Sequence, residues 1–132
     1  MLQPCKCGSG DAFGICCKPF FDGIAVAQSP EQLVRSRFTA FARGNQGAYL
    51  LNTWFPATAK GLTEIDLSNV SRRWNRLEIV GWGVQGDDGW AEFYAHFTDL
   101  SDATAARVMH EKSIFTRIDG RWLYIGGEVV NG

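Results

Sequence analysis

Residues 107–130 read RVMHEKSIFTRIDGRWLYIGGEVV. Asp119-Gly120 lies between two apolar runs, a strong short-range signal for a hairpin. A two-residue turn there pairs Ile118 with Arg121, Arg117 with Trp122 and Phe115 with Tyr124. Opposed residues share a face, so Glu111, Ser113 and Phe115 fall on the side of Trp122 and Tyr124. Upstream, residues 77–97 read LEIVGWGVQGDDGWAEFYAHF and predict a second hairpin around a four-residue loop, Gly86–Gly89. That loop sets Val80, Trp82 and Val84 with Ala91, Phe93 and Ala95, an apolar set that must face a core. Placing Glu92 opposite Lys112 makes a favourable charge pair and joins the two hairpins into one sheet. The opposite face then carries Ile79, Trp90, Tyr94, His110, Ile114 and Ile125. Bare, it would form a larger apolar patch than a soluble monomer usually tolerates. Either a second copy covers it in a homodimer, or the N-terminal segment with residues 18–28 folds back over it.

Helices precede the strands. Ser29-Pro30-Glu31 reads as an N-cap with proline at the first helical position. The helix runs through QLVRSRFTAFAR to Gly44, with Leu33, Val34, Arg37, Phe38, Phe41 and Ala42 on one face. A second helix is predicted over Gln46–Phe55, ended by Pro56, and a short one over Ser68–Asn75. The helices must cover the apolar side of the sheet. The fold class is therefore α+β, a curved antiparallel sheet covered by N-terminal helices.

The composition agrees with one domain and a small appendage. The chain has 132 residues, 45% hydrophobic and 20% charged, enough for a core without disulfide staples. Nine Phe, five Trp and three Tyr imply a bulky core or an aromatic pocket. A net charge of -1 lacks the basic footprint of a general nucleic-acid binder. No apolar run approaches the ~18 residues of a membrane span. MLQPCKCGSG lacks the apolar centre of a signal peptide. A cytoplasmic protein is expected.

All four cysteines, Cys5, Cys7, Cys16 and Cys17, lie within CKCGSGDAFGICC. Two disulfides or one tetrahedral metal site would explain such clustering, and redox-active thiols are a third reading. A reducing cytoplasm and a sizeable core argue against disulfides. Residues two apart in an extended segment point the same way, so Cys5 and Cys7 can offer both sulfurs to one ion. Gly8-Ser9-Gly10 supplies a reversal, and a short helical turn brings Cys16 and Cys17 back. One zinc with four thiolate ligands is a closed, structural site.

This stretch resembles the SEC-C motif, a zinc knuckle found at the tail of the preprotein translocase ATPase SecA and in other bacterial proteins. Every ligand position of its Cys-x-Cys, eight residues, Cys-Cys/His pattern is met. In SecA the motif docks a chaperone and lipid head groups, so the resemblance implies zinc and suggests a protein partner for the knuckle. Helices followed by a curved antiparallel sheet resemble the nuclear-transport-factor-2-like, or SnoaL-like, cone. With LVRSRFTAFARG, YLLNTW, EFYAHF and HEKSIFTRIDGRWLYIGG, the chain resembles the YchJ family over nearly its whole length. The resemblance divides it into a knuckle, residues 1–21, and a cone, residues 29–132. That family commonly has His-Pro after the Thr-Trp pair, where this chain has Phe55-Pro56, which argues against histidine chemistry in the pocket.

Within the cone, Glu111 is predicted on the helix-facing side among aromatics, where a carboxylate needs a partner or a polar cavity. Arg37 is the natural ion-pair partner, with Arg35 second. A pocket formed with Ser113, Trp54, Trp122 and Tyr124 would make Glu111 an acid/base group or a ligand anchor. The other reading is a structural buried pair. Ser113 lacks a histidine on its face, so a nucleophilic triad is not expected. Arg72, Arg73 and Arg76 read as solvated surface. The sequence thus favours a non-enzymatic binding or adaptor module, in which the knuckle docks a partner and the cone is a scaffold. The alternative is a small enzyme or ligand-binding protein using the cone pocket. A pocket filled by side chains favours the first, and an open one beside Glu111 the second.

Overall fold

The computed structural model describes residues 3–70 and 72–130, apart from the side chain of Ala103. Residues 1–2 and 131–132, at the outer bounds of the two expected domains, lie outside the described residues. A 3-10 turn, Phe13–Ile15, leads into α1, Lys18–Phe21. Three helices follow: α2, Pro30–Arg43; α3, Gly47–Asn52; and α4, Glu64–Ser68. The strands β1, Arg72–Gln85; β2, Asp88–Asp99; β3, Asp102–Ile118; and β4, Arg121–Val129 complete the chain. They form one antiparallel sheet in the order β1-β2-β3-β4.

Helix α2 forms as its sequence dictates. The Ser29 hydroxyl accepts from the Gln32 amide, Pro30 occupies the first turn, and Gly44 closes the helix at φ 76°. Its buried Leu33, Val34 and Phe38 pack on Leu77, Ala91, Phe93 and Phe115 of the sheet. Helix α3 is shorter than expected, ending at Asn52. Residues 53–55 instead pair with β4: the Phe55 amide donates to the Tyr124 carbonyl at 2.7 Å, and the Tyr124 amide to that of Thr53 at 2.8 Å. The short helix expected over Ser68–Asn75 is displaced. Helix α4 precedes it, capped by the Thr63 hydroxyl, and strand β1 begins at Arg72. Ser71, within that expected helix, lies outside the described residues.

The register follows the expected parity over β2, β3 and most of β4. Glu92 pairs with Lys112, Phe115 with Tyr124, and Ile118 with Arg121. Asp119 and Gly120 take φ 53° and 79°, the left-handed pair a two-residue turn requires. The first hairpin differs. Its loop is two residues, Gly86-Asp87, with Gln85 paired to Asp88 and Gly86 at φ 62°. Arg117 holds it, donating from Nε to Asp87 Oδ1 at 3.0 Å and from Nη2 to the Gly86 carbonyl at 2.9 Å. A bulge at Val80 then shifts the pairing, so Ile79 opposes Phe93 and joins the core while Val80 is 58% exposed. Trp82 and Val84 keep the predicted parity but lie beyond the helices, exposed.

Trp90 stands on the outer face of the sheet. Its indole lies across Gly83, where a Cβ would approach Nε1 to 2.5 Å, and Lys112 Nζ sits 5.1 Å from its ring. Residues 18–28 do not cover that face. Phe20, Phe21 and Val26 lie with Leu33, Tyr49 and Trp122 on the helical side.

Candidate metal centre and ligand cavity

The four cysteines converge. Their Sγ atoms all lie within 4.8 Å of one another, and no disulfide joins them. The Cys5 amide donates to the Asp11 carbonyl and the Cys16 amide to that of Phe13, which brings the two cysteine pairs face to face. Cys7 and Cys16 sulfurs are 3.6 Å apart, and those of Cys16 and Cys17 4.0 Å. A tetrahedron of ~2.3 Å metal–sulfur bonds has edges of roughly 3.8 Å, so the sulfurs are spaced for one ion. Their titration reflects the same crowding. A hydrogen bond from Cys17 holds the Cys7 thiol down at about 4, despite burial, and the same contact pushes Cys17 far up. Burial raises Cys16 to about 11. With Cys16 and Cys17 held as thiols, all four sulfurs would become thiolates only with a cation among them, and a divalent metal meets that need.

The cluster rests on α2. The Thr39 hydroxyl, fully buried, lies 3.3 Å from Cys17 Sγ and 3.6 Å from Cys5 Sγ. Arg35 Nη1 donates to the Cys7 carbonyl at 2.6 Å, and its Nη2 is 3.5 Å from Glu31. Arg43 stacks over Phe13 at 3.8 Å, and Phe21 meets Tyr49 edge-on at 5.0 Å. Arg35 therefore serves the knuckle and does not line the cone pocket.

The other face of α2 looks onto a cavity of about 210 Å3 between helix and sheet. Arg37, Trp54, Glu111, Ser113 and Tyr124 line it, among Phe38, Phe93 and other apolar groups. Trp122 does not. It is buried and lines a separate cavity of about 360 Å3 with residues of the 20–27 segment. Glu111 lies on the helix-facing side, but the expected ion pair is absent: no arginine nitrogen among the described residues lies within 4.0 Å of its carboxylate. Glu111 Oε2 accepts instead from the Ser113 hydroxyl at 2.5 Å and from the Tyr124 hydroxyl at 3.5 Å. Burial and Glu111 push Tyr124 up to about 12, so it is a neutral donor at pH 7. Arg37 Nη1 donates to the Leu50 carbonyl at 2.8 Å and to Thr53 Oγ1 at 2.7 Å. Those acceptors at the end of α3 replace Glu111 as its partners. Burial lowers Arg37 to about 10, and it remains a cation at neutral pH.

Two groups at this site were missed from sequence. Thr39 read only as a helix residue, and its i+4 spacing from Arg35 was the available signal. Gly127, opposite Ser113, leaves room for the Glu111 side chain: a Cβ there would lie 2.5 Å from Oε2. The Gly126-Gly127 pair in β4 was its signal. His96 and His110 lie on the other face, 2.7 Å from Glu78 and Glu92.

A cysteine cluster seated on an α+β cone defines the class: a SEC-C-type knuckle joined to a nuclear-transport-factor-2-like domain. Residues 29–127 match the family model described as "YchJ, middle NTF2-like domain". The chain belongs to this YchJ-like family, whose members include the UPF0225 proteins. One from Corynebacterium glutamicum is 40% identical, the match covering 98% of this chain and 99% of the relative. One from Streptomyces coelicolor is 35% identical, covering 97% of each. The solution structure of a SEC-C motif containing protein from Rhodopseudomonas palustris has a TM-score of 0.87 at 30% identity, covering 98% of this chain and 100% of that one. A crystal structure of a SEC-C motif containing protein from Psychrobacter arcticus shares the fold, with a TM-score of 0.77 at 23% identity over 98% of this chain and 82% of that one.

Proposed function

We propose that this chain is a small-ligand-binding cone clasped by a structural zinc knuckle. The observation that carries the reading is the open cavity beside Glu111. Interiors pack to the density of organic crystals, and voids destabilise. A domain built only as a scaffold would close a space of about 210 Å3.

Four thiolates in a closed set favour zinc and leave no open position for catalysis. Thr39 and Arg35 tie that set to α2, so the metal steadies the helix that roofs the cavity. A metal-bearing thiolate cluster suits the reducing cytoplasm. The lack of a histidine among the described cavity residues supports binding rather than hydrolysis. Docking of a protein partner is a second role for the knuckle, supported by Ile15, 75% exposed on its outer side.

The test is a nuclear magnetic resonance screen of the zinc-loaded protein against small aromatic fragments. Saturable shifts centred on the Trp54 indole and the Met109 methyl are expected. Failure of every fragment to saturate at millimolar concentration would overturn the reading.

A further inference from the structure

Charge is laid around this cavity in a way that selects a ligand class, provided that the cavity is a binding site. Arg37 is 6% exposed, and its two hydrogen bonds both use Nη1. Nε and Nη2 have no partner among the described residues. Neither is a sealed, partnerless atom, a condition found only at two tryptophan nitrogens among the described residues, and Arg37 is a residue that lines the cavity. The guanidinium rests against both Trp54 and Tyr124, 4.8 and 4.7 Å from their ring centres, and those rings meet edge-on at 5.1 Å. On the sheet side, both hydroxyls bond Glu111 Oε2, and Oε1 is left without a partner among the described residues. The cavity therefore presents an acceptor at Glu111 and donors at Arg37, among aromatic side chains of helix and sheet; Arg72 also lines it, and its charge is met by Asp99 at 3.9 Å.

An anion would gain from Arg37 and be repelled by Glu111, and a cation would meet the reverse. A neutral ligand with a donor beside an acceptor satisfies both groups without leaving either charge desolvated and unpaired. Aromatic walls on both sides call for a flat ring, and the volume suits one or two fused rings. We infer that the cavity takes a neutral planar heteroaromatic lactam, its ring N–H donating to Glu111 and its carbonyl accepting from Arg37. Bicyclic lactams of this edge pattern include nucleobase-like and pteridine-like rings.

Four size-matched probes test the inference on the zinc-loaded chain by titration of tryptophan fluorescence: quinazolin-4-one, naphthalene, naphthalene-2-carboxylate and naphthalen-2-ylmethylammonium. A site built to hydrogen-bond its ligand rejects analogues that lack the groups. Quinazolin-4-one should bind at least tenfold more tightly than the other three. Glu111→Gln should shift preference at least tenfold toward the carboxylate, because the repelling charge is gone. Equal binding of naphthalene, or tighter binding of either ion, would overturn the ligand class and leave the cavity a binding site. Saturation by none of the four would overturn the binding reading and the class together.

Discussion

Replacing Glu111 with leucine separates a hydrogen-bonded carboxylate from a buried ion pair. Breaking a buried pair costs about 3–5 kcal/mol, because the surviving charge stays desolvated. Here Arg37 keeps the Leu50 carbonyl and Thr53 hydroxyl, so it loses no direct partner. The loss falls on Ser113, whose buried hydroxyl donates to the carboxylate, a bond contributing about 1.5–3 kcal/mol. Tyr124, at 3.5 Å, adds little. Leucine returns about 1 kcal/mol by covering apolar wall. The net loss for Glu111→Leu is about 0.5–2 kcal/mol, a Tm fall of roughly 2–8 °C for a domain of this size. Urea unfolding of the zinc-loaded protein, followed by tryptophan fluorescence, should show a lower midpoint with an unchanged slope. A loss of 3 kcal/mol or more would show that Arg37 does depend on Glu111 and would refute the partner assignment.

Three further outcomes follow from the same contacts. Thr39→Val keeps the shape at α2 but removes the hydroxyl beside the Cys5 and Cys17 sulfurs, and zinc affinity should fall about tenfold or more in competition with a chromophoric chelator. Unchanged affinity would remove Thr39 from the metal site. Stripping the metal should loosen residues 3–21 while amides of β2 and β3 stay protected from hydrogen exchange, because the cysteine cluster and the cone core are separate apolar clusters. Loss of protection across the sheet would contradict that separation. Burial holds Arg37 at about 10, below its ordinary value, so the unfolded chain binds the extra proton above that pH. Stability from this group should therefore rise, and affinity for a ligand accepting from Arg37 should fall, as pH climbs from 10 toward 12. Affinity that holds through pH 11 would show that Arg37 keeps its proton there.

Strand parity was legible because Asp119-Gly120 fixes the turn, and nothing interrupts the alternation from Glu111 to Phe115. The cysteine cluster was legible because four thiols in thirteen residues have few chemical explanations. The bulge at Val80 was not, because β1 carries apolar residues at both Ile79 and Val80 and either can face the core. What decides is the seat of Trp90 across Gly83 and the two-residue closure at Gly86, which Arg117 holds from β3. Arg37 was placed on the inward stripe, but its partners are a carbonyl and a hydroxyl at the end of α3, which no spacing reveals. Arg35, two residues away, turns to the knuckle because helical geometry sends it to a different side. The sequence pairs charges by sign, whereas the folded chain also satisfies them with backbone.

The clasp itself is the point on which the account turns, and X-ray absorption at the zinc edge tests it most directly. Protein purified under reducing conditions without chelator should contain one zinc per chain with four sulfur neighbours at about 2.3 Å. A metal-free chain with Cys5, Cys7, Cys16 and Cys17 in two disulfides, or a zinc shell of nitrogen and oxygen, would contradict it.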